Sequence, residues 1–189
     1  MAASSLSRIT TRRALRGFSL LELMFTLTVA AILFGVGIPS FVDMIRSNRA
    51  AANINELSIA FAIARSEAIR RGANVTVCRS SDDATCGASW ADGWIIFVDN
   101  AASDTGPPVL GAVLQVWDEM PGAAAITTFA NGTATDLAWV RFGPRGGART
   151  AAAMPFSITV ELAGCTGEQL RTLELNTVGR ANIARGTCP

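Results

Sequence analysis

The sequence predicts an α+β fold in which one long N-terminal helix packs against antiparallel sheets. Two observations define the helix: an apolar run over residues 18–42, and an apolar stripe at 3,4 spacing that continues to residue 68. A third defines the sheets: from residue 73 onward, short β-rich segments alternate with turn chemistry. The chain has 189 residues, half of them hydrophobic, which suits one cored domain plus an appendage.

Residues 1–17 are polar and basic, with Arg8, Arg12, Arg13 and Arg16. Residues 18–42 are apolar, and Glu22 is their only charged member. These 25 residues can cross a hydrocarbon core of about 30 Å as a helix. The arginines before the run and the bulk of the chain after it orient the N-terminus inside and the C-terminus outside. An ordinary secretory signal is cut after its apolar run. Here the conspicuous junction, Arg16-Gly17-Phe18-Ser19-Leu20-Leu21-Glu22, precedes it, so the run is expected to stay in the chain and residues 1–17 to be a cleaved leader. A carboxylate within a spanning segment is costly unless partnered, which marks Glu22 as functional. Cleavage after Gly17 creates a new cation, the α-amino group of Phe18, about one helical turn from Glu22. Glu22 can pair with that amine in its own chain or in a neighbour; the plainer alternative is a carboxylate at the membrane surface.

The run Gly17-Phe18-Ser19-Leu20-Leu21-Glu22-Leu23 resembles the class III signal of type IV prepilins and type II secretion pseudopilins. The resemblance implies that prepilin peptidase, a membrane aspartyl protease, cuts between Gly17 and Phe18 and methylates Phe18. It implies that Glu22 guides subunit docking, and that Pro39, within Gly35-Val36-Gly37-Ile38-Pro39, is the helix-loosening proline of the family.

After Pro39 the helix is expected to resume as an amphipathic segment over residues 43–72. Ile54, Leu57, Phe61, Ala64 and Ala68 form one face, and Arg46, Arg49, Arg65, Arg70 and Arg71 lie mostly off it. Glu67 can pair with Arg71 at i+4, and Gly72 is the stop signal. Strands are expected at 75–79, 93–99, 113–118, 125–129, 137–142, 156–162 and 170–176, with a further one near 178–183. The turn signals between them include residues 104–108, Met120-Pro121-Gly122, Asn131-Gly132 and residues 143–147.

Ala64-Arg65-Ser66-Glu67-Ala68-Ile69-Arg70-Arg71-Gly72, Val75-Thr76-Val77-Cys78 and residues 90–99 together resemble the GspH/FimT group of minor pilins and pseudopilins. That resemblance implies a pilin-like fold, with a two-sheet β-sandwich over residues 73–189 packed on the second half of the helix. It also implies other pilins or pseudopilins as partners in a filament. Trp90 and Trp94 read first as core residues rather than as a binding platform.

Cys78, Cys86, Cys165 and Cys188 allow three disulfide connectivities. Each early and late pair brackets a short stretch, and the expected pairs are Cys78–Cys86 and Cys165–Cys188, in a domain exported to the periplasm. The chain has no histidine and no Cys-x-x-Cys, so neither a metal site nor a cofactor is expected. It also lacks a Gly-x-Ser-x-Gly elbow and a phosphate-binding glycine loop, and no catalytic residue is assigned. The expected location is the bacterial inner membrane, as a single-pass protein, and then a pilus or pseudopilus.

Without residues 1–17 the chain carries 12 arginines against 15 acids. Residues 72–140 hold one arginine and eight acids, whereas residues 141–189 hold six arginines and three acids. The run from Gly179 to Cys188 is similar to the tail of FimT-type pilins, in which DNA-uptake members carry Gly-Arg-x-Arg. Gly179 and Arg180 match, Asn182 stands where the second arginine would be, and Arg185 is the substitute further along. The resemblance therefore implies a candidate DNA contact at Arg180 and Arg185, joined by Arg145 and Arg149.

Overall fold

The computed structural model describes residues 19–189; the expected processing junction, Gly17 and Phe18, lies outside the described residues. Helix α1 (Leu20–Arg71) is followed by ten strands: β1 (Val75–Arg79), β2 (Trp94–Asp99), β3 (Leu110–Trp117), β4 (Ala123–Ala130), β5 (Thr133–Ala134), β6 (Trp139–Phe142), β7 (Ala148–Arg149), β8 (Phe156–Leu162), β9 (Leu170–Leu175) and β10 (Ala181–Gly186). The chain divides into a unit ending at Phe41 and a unit spanning Val42–Pro189.

In the first unit Ser19 caps the helix, its hydroxyl accepting from Glu22 N at 3.2 Å. The hydroxyls of Thr26 and Thr28 donate to the carbonyls of Leu23 and Met24, so neither presents an unpaired donor. Large apolar side chains from Leu20 to Phe41 are exposed all round the helix, most by more than half their surface. A helix apolar on every side requires an apolar surrounding.

In the second unit the remainder of α1 is one-sided. Ala50, Ile54, Leu57, Ala60, Phe61, Ala64 and Ala68 are fully buried, at the spacing the sequence predicts. Phe61 sits where both sheets meet the helix. Its ring contacts Trp90, Phe142 of β6 and Phe156 of β8 at centroid distances of 6.4, 6.1 and 6.0 Å. Gly72, at φ +62°, ends α1 in a left-handed turn, with its own N–H bonded to Ile69 O and that of Ala73 to Ala68 O. Glu67 accepts from both Arg70 and Arg71 on the outer face.

The strands form two antiparallel five-stranded sheets, ordered β3-β2-β1-β6-β7 and β10-β9-β8-β4-β5. The second sheet is buried on one face: Phe156, Ile158, Val160 and Leu162 of β8 point to the core and alternate with Ser157, Thr159 and Glu161. The first sheet is buried on both faces. Val75, Val77, Val140 and Phe142 join the main core, while Cys78, Ile95, Phe97 and Trp139 make a second cluster behind it.

Two loops are tied to that second face. Cys78–Cys86 closes one, and Cys165–Cys188 holds the last residues to the loop before β9. The other loop on the second face, residues 100–109, is held by a buried ion pair. Asp99 receives Arg141 Nε and Thr76 Oγ1 at 2.7 and 2.6 Å, and the backbone N–H groups of Ala101 and Val109 at 2.9 Å. Arg141 spends its remaining donors on the carbonyls of Ser103 and Gly106 and lies 4.7 Å over the Trp139 ring. Burial acts to raise the Asp99 pKa, but the hydrogen bonds from Thr76, Val109, Ala101 and Arg141 outweigh it and hold the carboxyl below its ordinary range.

Besides shifts of one to three residues at the ends of β2, β3, β4 and β9, the structure differs from the sequence reading in four places. Trp90–Asp92 forms a 3-10 turn closed by a capping box, Ser89 accepting from Ala91 N while Asp92 accepts from Ser89 N. The short strands β5 and β7 have two residues each, too few for periodicity to register. Leu137 lies before β6, not in it, because its N–H is taken by Thr128 Oγ1. The last strand starts at Ala181 and not at 178, because residues 176–180 form the β9–β10 turn: Gly179 N donates to Asn176 O, and Asn176 N to Arg180 O. Trp90 and Trp94 are both core residues, 2 % and 0 % exposed.

Arg141→Met leaves the Asp99 carboxylate buried without its cation and is expected to cost about 3–5 kcal/mol in urea unfolding of residues 42–189. Because the folded pKa of Asp99 is depressed, its network stabilises the fold above about pH 4 and is lost as pH falls below that range. Asp99→Asn should therefore flatten the acid limb of the stability curve, measured as urea midpoint against pH.

Candidate functional site

Two regions carry the residues singled out by the sequence. The first is the unit ending at Phe41. Among its described residues Glu22 is the only charged group, exposed within the first turn of α1 on an otherwise apolar surface. A carboxylate there is favoured by the unpaired N–H groups at a helix start, and by an added cation such as a free α-amine. Pro39 lies inside the helix and has no N–H to offer the carbonyl of Gly35. This helix is long and apolar enough to cross a membrane, with a mean hydropathy of 2.1 over its most apolar stretch.

The second region lies where the two sheets approach each other, at the turns 143–147 and 176–180. Ala148 N donates to Thr177 O at 2.9 Å, joining β7 of one sheet to the β9–β10 turn of the other. Gly179, at φ +76°, is packed so close to Gly146 that a Cβ there would collide with the Gly146 carbonyl oxygen. This contact brings the turn of Arg145 and the neighbouring Arg149 beside the turn of Arg180, and all three side chains are exposed. Arg149 is paired with Asp104 at 3.2 Å. Arg180 is held through its backbone N–H, which donates to Asn176 Oδ1 at 2.9 Å.

Arg185 is not part of this group. It lies near the far end of β10, in register with the buried Arg171 of β9. Arg171 is itself fixed by the carbonyls of Glu168 and Leu170 and by Ser47 Oγ at 2.9 Å. Desolvation lowers the Arg171 pKa, and the Arg185 charge adds to that effect. The sequence reading names Arg65 among the helix arginines but assigns it no role, whereas the structure places it against both turns. Its sequence signals, a position next to the apolar stripe and a place in the motif over residues 64–72, are shared with other helix arginines. Among the described residues no group of three or more His, Cys, Asp or Glu is arranged to hold a metal ion.

With the apolar helix, its lone glutamate and the helix-plus-two-sheets domain in place, comparison with known proteins is direct. Residues 53–179, about two thirds of the chain, match the family described as type II transport protein GspH. The chain belongs to the GspH family. Residues 12–38 additionally match the prokaryotic N-terminal methylation motif. Among solved structures this GspH-family chain is similar to the type IV minor pilin FimU of Pseudomonas aeruginosa, with TM-score 0.53 and 18% identity over 72% of this chain and 89% of that one. A second match is the minor pseudopilin EpsH of the Vibrio cholerae type II secretion system, with TM-score 0.49 and 12% identity over 76% and 99% of the two chains. The likeness to FimU shows the pilin-like α+β fold. No curated protein sequence matches significantly.

Gly179→Ala would force a side chain into a left-handed position against a carbonyl. We expect it to destabilise residues 42–189 by about 1–3 kcal/mol, read as a drop in thermal midpoint.

Proposed function

We propose that this chain is a minor pilin that takes part in initiating or capping a type IV pilus. The observation that carries the proposal is the segment Leu20–Phe41, an all-round apolar helix whose one charged group is Glu22. Prepilin peptidase cuts between Gly17 and Phe18 and methylates Phe18, and residues 18–42 anchor the chain in the inner membrane. Glu22 then pairs with the N-terminal amine of a neighbour as the subunit enters the filament core, a pairing that is strong in an apolar surrounding. The domain lies in the periplasm, where an oxidising environment sustains its two disulfides.

A second machine uses the same geometry. The description of the matched family, a type II transport protein, favours a pseudopilin of a type II secretion system. Deleting the gene separates the two: loss of surface pili with intact protein secretion fits the pilus, and the reverse fits the pseudopilus.

The DNA-receptor reading has less support from the geometry. Arg180 precedes β10 and Arg185 lies near its end, about 17 Å apart along an extended chain. Asn182, in the place of a second motif arginine, is exposed beside Glu174 of β9.

In cells, Glu22→Ala should leave membrane insertion intact and lower incorporation into sheared filaments by about tenfold or more. Normal incorporation of that variant would contradict the assignment.

A further inference from the structure

Arg65 makes no ion pair among the described residues. It projects from α1 toward the turns 143–147 and 176–180, so close that a Cβ added at Gly146 or Gly179 would come within 3.0 or 3.2 Å of its Nε. That Nε is buried and has no hydrogen-bond partner among the described residues. A buried donor on a charged group is normally paired, because leaving it unpaired forfeits its hydration without return. The groups around it are turn backbone, the apolar chain of Ile69 and the neighbouring Arg180.

Arg65 and Arg180 line one cavity of about 400 Å³ between α1 and the start of β10. Its other walls include Ser58, Ser66, Phe61 and Ile69, and none of its lining residues is acidic. Neither arginine takes part in an ion pair among the described residues. Glu174 borders Arg180 on its other side, in a separate cavity. Of the lining residues Ile69 is 51 % exposed, and Val178, which precedes Gly179 in the turn, is 61 % exposed.

We infer that this notch receives a carboxylate side chain carried on an apolar segment of an adjacent filament subunit. The inference rests on the filament-subunit reading and names the contact that the globular domain makes within it. Two arginines lining one cavity offer terminal N–H donors to both carboxylate oxygens and two positive charges to balance the carboxylate. The exposed Ile69 among the lining residues favours a protein over a nucleic acid, although Arg145 and Arg149 stand on and beside the neighbouring turn. The centre of a protein interface is apolar and depleted in charge, whereas a DNA site is polar and densely basic. Here Ile69 lines the notch with the two cations, and without residues 1–17 the chain carries more acids than arginines.

The test uses the full chain in its own cells, with a photo-crosslinking residue in place of Ile69 and, in a separate strain, of Leu33 in the apolar helix. The Ile69 probe is expected to crosslink a pilin or pseudopilin through a peptide containing Asp or Glu. Arg65→Gln and Arg180→Gln should each lower that yield about tenfold while the Leu33 crosslink is unchanged. Arg65→Glu should abolish it, and exchanging the partner's acid for arginine should restore it. If Leu33 crosslinks to pilins but Ile69 does not, or Ile69 crosslinks to DNA, the notch proposal is overturned and the filament reading stands. If neither position crosslinks to a pilin, both are overturned.

Discussion

The rest of the domain depends on burying one stripe of α1. From Ala50 to Ala68 the helix presents a face of four alanines with Ile54, Leu57 and Phe61, and both sheets close on it. The alanines at 60, 64 and 68 bring strands near the helix axis, while Phe61 fills the space where Phe142 and Phe156 converge from different sheets. A buried phenylalanine contributes on the order of 3–5 kcal/mol when its loss leaves a cavity, a large share of a domain's net stability. The outer layer of the first sheet is a separate matter. It is closed by polar means, through the Asp99–Arg141 pair and a disulfide, which fix loops over a face that no α-helix covers among the described residues. Breaking that pair is costly because nothing else neutralises the charge left behind.

The first half of the same helix obeys the opposite rule. Between Leu20 and Phe41 the chain exposes apolar side chains in every direction and keeps a single carboxylate near the start. Such a surface is stable only in lipid or against other helices, and the carboxylate is stable there only with a cation. A filament core of like helices meets both requirements. The proposed function rests on a division of labour along one helix: one part carries the two-sheet domain, and the other offers an apolar surface.

Much of this was legible in the sequence because it is periodic or local. The stripe at Ile54, Leu57, Phe61, Ala64 and Ala68 follows the helical repeat, Gly72 is a stop written in one residue, and β1 and β8 match their expected spans. What escaped notice is what depends on distant partners. Asp99 and Arg141 lie 42 residues apart and read as one acid among eight and one arginine among six. Val178 looks like the start of a strand, yet Asn176 and Gly179 take that segment for a turn. Arg65 reads as an ordinary helix arginine, and only the approach of two turns from different sheets makes its position unusual. Arg145, Arg149 and Arg180 are neighbours for the same tertiary reason, and Arg185 is set apart from them by the length of β10.

The most direct test of the central claim is the mass and N-terminal sequence of the chain recovered from sheared surface filaments or, for a pseudopilus, from the inner membrane. The account predicts a mature subunit that begins at an N-methylated Phe18 and retains the whole apolar helix with Glu22. A chain that still carries residues 1–17 when assembled, or one cut beyond residue 42 and released without the helix, would contradict it.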